Sequence, residues 1–135
     1  MQHGGCLCGA VRYKVEGNPI LGAICHCRTC RKAVSAPTLP FTQFPLDAFA
    51  FTQGDPVEYR SSPPVIRSFC GRCGSQLTYR SDLEAGCIDI MTCSLDDPEV
   101  FAPTFHVWAA EKLKWDVIAD GRPAFKSIRA AGEQI

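Results

Sequence analysis

At 135 residues the chain has the length of one domain, enough to bury most of the surface its unfolded form would expose. Fourteen Lys and Arg balance fourteen Asp and Glu, which excludes a disordered polyelectrolyte and argues against a protein that works on nucleic-acid phosphates. No apolar run approaches the roughly 20 residues of a membrane-spanning helix. The opening Met1-Gln2-His3-Gly4-Gly5 lacks the charged and apolar regions of a secretion signal, so the expectation is a cytoplasmic protein with no membrane partner.

Ten prolines and eleven glycines interrupt the chain at short intervals and predict a strand-rich single domain, residues 1–135, without linkers. His3 reads as part of a terminal tail. The first expected strand covers 9–15, where Val11-Arg12-Tyr13-Lys14-Val15 alternates apolar and polar residues as a half-buried strand does. A turn at Gly17-Asn18-Pro19 precedes a strand at 21–25, followed by the single helix expected, Arg28–Val34. Further strands are expected at 38–44, 48–52, 57–60, 65–70, 75–80, 86–92 and 104–109. In the last of these, alternation sets His106 and Trp108 on one face and Phe105 and Val107 on the other. The tail after about Phe125 is expected to be loose.

Nine cysteines in a chain expected in the cytoplasm suggest metal ligands rather than a disulfide frame. Seven form three clusters: Cys6-Leu7-Cys8, Cys25-His26-Cys27-Arg28-Thr29-Cys30 and Cys70-Gly71-Arg72-Cys73-Gly74. A tetrahedral zinc takes four ligands, and no one cluster supplies four, so clusters distant in sequence must pair. Cys6 and Cys8 with Cys70 and Cys73 make a closed, structural site joining segments more than sixty residues apart. Gly74 would let the backbone turn so that amides face the sulfurs. Cys25, Cys27 and Cys30 remain, three ligands with a position left open, the arrangement of a catalytic zinc. His26 either closes that position as a fourth ligand or points away.

Residues 1–75 hold eight of the basic residues and four of the acidic ones, the surplus expected if seven thiolates surround two divalent ions there. Helix N–H groups with Arg28, Arg31 and Lys32 would help keep the triad ionised. Cys87 and Cys93 read as buried, inert thiols in an apolar strand context. His106 is either a proton shuttle near the open position or a structural histidine held by a backbone partner. Phe41 and Phe44 read as pocket wall or core.

The segments 5–13, 25–32 and 69–77, with Ser94-Leu95-Asp96-Asp97-Pro98, His106-Val107-Trp108, Lys114-Trp115 and Asp120-Gly121-Arg122-Pro123, resemble the glutathione-dependent formaldehyde-activating enzyme family over about residues 4–125. The resemblance implies a mainly β, Mss4-like set of antiparallel sheets stapled by zinc, with one short helix. It assigns Cys6, Cys8, Cys70 and Cys73 to a structural zinc, and Cys25, Cys27 and Cys30 to a labile, catalytic one. The implied activity is that of a carbon–sulfur lyase, joining glutathione and formaldehyde as S-hydroxymethylglutathione. Arg31 and Lys32, with Arg28 and Arg12, are the nearby cations for the carboxylates of a glutathione-like thiol. Two other readings remain open: a non-catalytic Mss4-like binding module, and a dithiol redox protein using Cys27 and Cys30 or Cys70 and Cys73.

Overall fold

The structure, a computed structural model, describes residues 1–129 and Gln134. Ten strands and one α-helix are described. They are β1 (Gln2–Gly5), β2 (Arg12–Val15), β3 (Leu21–Cys25), α1 (Arg28–Val34), β4 (Leu39–Pro45), β5 (Phe49–Gln53), β6 (Val57–Ser62), β7 (Val65–Phe69), β8 (Gln76–Ser81), β9 (Cys87–Met91) and β10 (Phe105–Val107). They form a three-stranded sheet, β1-β2-β5, and a seven-stranded sheet, β10-β3-β4-β9-β8-β7-β6. Every described pairing between strands is antiparallel except β10 with β3, which is parallel.

Alternation along the strands builds two cores, one on each face of the large sheet. Phe44, Ile88 and Ile90 meet Val11, Tyr13 and Val15 of the small sheet in the first core, together with Cys6 and Cys70. A register shift between Ser68 and Phe69 opposite β8 leaves Leu77 in this core, although Tyr79, two residues on, packs against the other. The second core joins Ala23, Cys25, Leu39, Met91 and Phe105 to Cys30 and Val34 of α1. Phe44 is fully buried and Phe41 packs against the second cluster, so both act as core.

The helix falls on Arg28–Val34 as expected, starting where Cys27 accepts the Cys30 amide and ending at Ser35 in the left-handed region. The N-terminus departs from expectation. Residues 2–5 are a strand, and His3 pairs with Lys14 instead of lying in a tail. Its Gly-Gly pair carries no strand propensity; pairing with β2 supplies the order. Gly4 is required there because the Tyr13 ring lies against its α-carbon. A Cβ at this position would overlap that ring and sit 2.6 Å from the Ser94 carbonyl oxygen. Gly4→Ala is therefore expected to cost about 2–3 kcal/mol in urea unfolding, because both obstacles belong to packed groups.

The strand expected at 9–15 starts only at Arg12, since residues 6–11 form a turn closed by Cys6 N to Val11 O at 3.0 Å. The strand at 104–109 is likewise shorter. Trp108 has φ 55°, begins a 3₁₀ turn, and does not share a strand face with His106. All three residues of β10 are buried, because β3 covers one edge and residues 123–125 bond along the other. Hydrogen bonds from β10 and the following turn reach as far as Ser127, so the chain just after Phe125 is tied down. The remainder of the expected loose tail, residues 130–133 and 135, lies outside the described residues. Among the described residues no helix is long and apolar enough to cross a membrane.

Candidate metal centres

The three sequence clusters become two groups of sulfurs, each with its members within 4.8 Å of one another. In the first, the turn after β1 brings Cys6 and Cys8 to Cys70 and Cys73 of the β7–β8 turn. The Sγ atoms of Cys6 and Cys8 are 3.6 Å apart, and those of Cys8 and Cys70 are 3.8 Å apart. Those lengths match the edge of a ZnS₄ tetrahedron, roughly 3.8 Å for bonds of about 2.3 Å.

Backbone amides face these sulfurs: Val11 N donates to Cys6 Sγ at 3.2 Å and Arg72 N to Cys70 Sγ at 3.4 Å. Both turns are closed by a glycine in the left-handed region, Gly9 at φ 78° and Gly74 at φ 80°. Ser75 links the two turns, accepting from Leu7 N at 3.0 Å and lying 3.3 Å from Cys73 Sγ. Its hydroxyl and amide, with the Cys8 amide, hold the Cys73 thiol down at about 5. These donors favour thiolates at Cys6 and Cys73, and the four sulfurs suit a soft divalent ion such as zinc.

The second group, Cys25, Cys27 and Cys30, gathers at the end of β3 and the start of α1. Cys25 and Cys30 are buried and Cys27 is partly exposed. Hydrogen bonds with Cys25 and then Cys30 push the Cys27 thiol far below the ordinary range, whereas those with Cys27 and Cys30, and then burial, push Cys25 far above it. The three sulfurs thus share protons through mutual hydrogen bonds. A divalent ion would take the place of the shared protons. Among the described residues no fourth Cys, His, Asp or Glu joins this group.

His26 lies between two of these cysteines, yet its ring turns away from the sulfurs. Its Nε2 is 2.9 Å from His106 Nδ1, and His106 Nε2 is 2.8 Å from Asp120 Oδ2, which also accepts from Arg122 Nη1 at 2.9 Å. His106 is therefore held by two side chains, not by a backbone partner. Sequence could not show this, because Asp120 comes from a loop that folds back over β10. Burial and then the neighbouring His106 lower the His26 pKa, and its Nδ1 has no partner among the described residues. Both histidines line a cavity of about 400 Å³ with Ile24, Thr38 and residues 116–120.

The expected cations are placed unevenly. Arg31 donates from Nε to His26 O at 3.1 Å and from Nη2 to Glu111 O at 3.2 Å, bracing the β3–α1 elbow. Arg28, Arg31 and Lys32 line a groove of about 540 Å³ with Leu113 and Trp115. Arg12 lies on the side of the four-cysteine group, in a two-pronged ion pair with Asp96. Cys87 is only partly buried and Cys93 is exposed, contrary to the expectation of buried thiols, because Cys87 opens β9 and Cys93 lies in the 3₁₀ turn that follows it. Neither joins a metal-ligating group among the described residues.

The cation that touches a triad sulfur is Arg67, which sequence reasoning had treated only as charge. It is buried in β7, with Nη2 3.8 Å from Cys30 Sγ. A signal existed in the inward position of Arg67 within Val65-Ile66-Arg67-Ser68-Phe69, an apolar strand where a charge needs a partner. Across the sheet Arg67 pairs with Tyr79, and Tyr79 with Asp89.

Burial pushes the Asp89 carboxyl up to about 7, against the lowering effect of Gln43, whose Nε2 donates to it at 2.9 Å; Glu84 raises it further. The unfolded carboxyl ionises near about 4, so the folded state holds its proton more tightly between there and 7. The associated stability is complete below about pH 4 and is lost as pH rises through 7. Asp89→Asn is expected to gain about 1–3 kcal/mol over wild type at pH 8 and nothing at pH 4, measured by urea unfolding at both.

The comparisons with known proteins agree with this geometry. A family model described as glutathione-dependent formaldehyde-activating enzyme matches residues 1–111. An uncharacterized lyase of Schizosaccharomyces pombe is 35% identical over 79 residues, 56% of this chain and 55% of that protein. The match thus spans about half the length of this curated relative. A crystal structure of a Rhodobacter sphaeroides protein shares the fold at a TM-score of 0.61 and 20% identity, covering 73% of this chain and 93% of that one.

Proposed function

Because the chain belongs to the glutathione-dependent formaldehyde-activating enzyme family, we propose that it is a single-domain, zinc-dependent carbon–sulfur lyase. It forms or cleaves a hemithioacetal of the S-hydroxymethylglutathione type from a thiol and an aldehyde, in a reducing compartment such as the cytoplasm. The observation that carries this reading is the three-sulfur group with no fourth ligand among the described residues, beside a complete four-sulfur group.

In this reading Cys6, Cys8, Cys70 and Cys73 hold a structural zinc, and Cys25, Cys27 and Cys30 hold the catalytic one. The triad leaves one tetrahedral position for the substrate sulfur. A zinc ion there would lower the pKa of an incoming thiol from about 8.5, so that it arrives ionised at neutral pH. The protein contributes position and charge. Lys32, with Arg28 and the remaining N–H groups of Arg31, faces the groove where a glutathione-like thiol would lay its carboxylates. Trp115 lines the same groove and would cover the peptide stem.

The test is exchange NMR of glutathione and formaldehyde with the zinc-loaded protein, together with metal counting. The expected result is two zinc ions per chain and faster interconversion of free thiol and hemithioacetal than in buffer. No glutathione binding, or a fourth protein ligand on the second ion by X-ray absorption, would overturn the proposal. The second result would favour a non-catalytic binding module instead.

A further inference from the structure

Arg67 is more tightly built into the site than any cation of α1 or the groove. It is 6% exposed at the centre of β7. Its Nε donates to Ser61 Oγ at 3.1 Å, its Cζ lies 5.0 Å over the Tyr79 ring, and its Nη2 reaches Cys30 Sγ at 3.8 Å. Three contacts from three elements hold the guanidinium in one orientation. Among the described residues its Nη1 makes no hydrogen bond.

The contact with Cys30 uses one nitrogen of the fork and leaves the other as a cationic N–H donor near the triad. That edge keeps donor capacity which an anion or a strong acceptor can take up. Other candidates for that role are spent or displaced. Arg31 is committed to two carbonyls, Arg28 and Lys32 are exposed, and the Thr29 hydroxyl lies 3.4 Å from Cys27 Sγ.

Building on the function proposed above, we propose that Arg67 is a catalytic residue whose free Nη1 edge binds the aldehyde oxygen as it becomes an alkoxide. The substrate thiol first loses its proton to water. Its sulfur then attacks the carbonyl carbon, a carbon–sulfur bond forms, and the π electrons of the C=O move to oxygen. A proton from water completes the hemithioacetal, so thiol and aldehyde add with no change of oxidation state. Arg67 supplies a fixed N–H donor for the negative charge that develops on oxygen. In the cleavage direction it holds the same alkoxide while the carbon–sulfur bond breaks.

The experiment compares wild type, Arg67→Met and Arg67→Lys, each full length and zinc-loaded. Arg67→Met is expected to lower kcat for the glutathione–formaldehyde reaction about 10²–10³-fold, leaving the thiol KM within about threefold. Arg67→Lys keeps the charge without the fork and is expected to lose at least about tenfold in kcat while retaining both ions. It carries the test if the Met variant fails to fold.

A binding readout needs no turnover. Thioglycolate places an anionic oxygen near the position of the alkoxide, whereas 2-mercaptoethanol does not. Wild type should prefer thioglycolate in competition binding, and Arg67→Met should reduce that preference about tenfold. A kcat that falls only in step with zinc content, or an unchanged thioglycolate preference, overturns the role of Arg67. Active wild type with equally active variants does so while leaving the proposed function intact. Inactive wild type removes the proposed function and this role together.

Discussion

Cys73→Ala is expected to yield little folded protein, with loss of cooperative thermal unfolding and of the more tightly held ion. The four-sulfur group sits in the first core, where Cys6 is 7% and Cys70 1% exposed. It joins the end of β1 to the β7–β8 turn, and apart from it that link rests on contacts such as Leu7 N to Ser75 Oγ. A structural zinc contributes on the order of 10 kcal/mol or more to the folded state, comparable to the whole stability of a domain this size. Losing one of the four also leaves two buried sulfurs, Cys6 and Cys70, with an incomplete ligand set. Soluble yield, circular dichroism on heating and metal content together check the expectation. A Cys73→Ala protein that melts within a few degrees of wild type would show that the group does not staple the fold.

Cys27→Ala should behave in the opposite way. Cys27 lies at the mouth of the second group, partly exposed, where it caps α1 by accepting the Cys30 amide at 3.4 Å. Loss of that cap costs about 1 kcal/mol, which the surrounding core of Ala23, Leu39, Met91 and Phe105 tolerates. A folded chain binding one ion is expected, with thiol–aldehyde turnover reduced at least about 10³-fold because the substrate sulfur has no seat. Metal analysis, a melting curve and exchange NMR on one preparation separate the outcomes. Equal loss of folded protein in Cys27→Ala and Cys73→Ala would contradict the division between a structural and a catalytic centre.

The two cysteine groups sit on opposite faces of the large sheet, and this separation gives the contrast its physical basis. Cys6 and Cys70 pack with Tyr13, Phe44 and Ile90 in the core between the sheets, while Cys8 is exposed. The triad instead lies where α1 crosses the sheet end, beside Arg67 and Tyr79. The four-sulfur group joins turns far apart in sequence, whereas the triad comes from the single β3–α1 elbow.

Chain chemistry with short range was legible before any coordinates. The cysteine spacings, the turn at Gly74, the span of α1 and the alternation of β2 depend on neighbours a few residues away, and each appears in place. The four-plus-three grouping was also readable, because a tetrahedral ion demands four donors and the clusters supply only two or three each.

Contacts between distant segments were decided by the tertiary structure alone. The strand β1 exists because β2 pairs with it, and Trp108 leaves the strand because the chain must turn where residues 125–127 bond across it. His106 finds Asp120 and His26, and Arg67 finds Cys30, through pairings 14, 80 and 37 residues apart. A side chain's own residue type states what partner it needs. Which segment delivers that partner is set by sheet register and packing, and no local pattern encodes those.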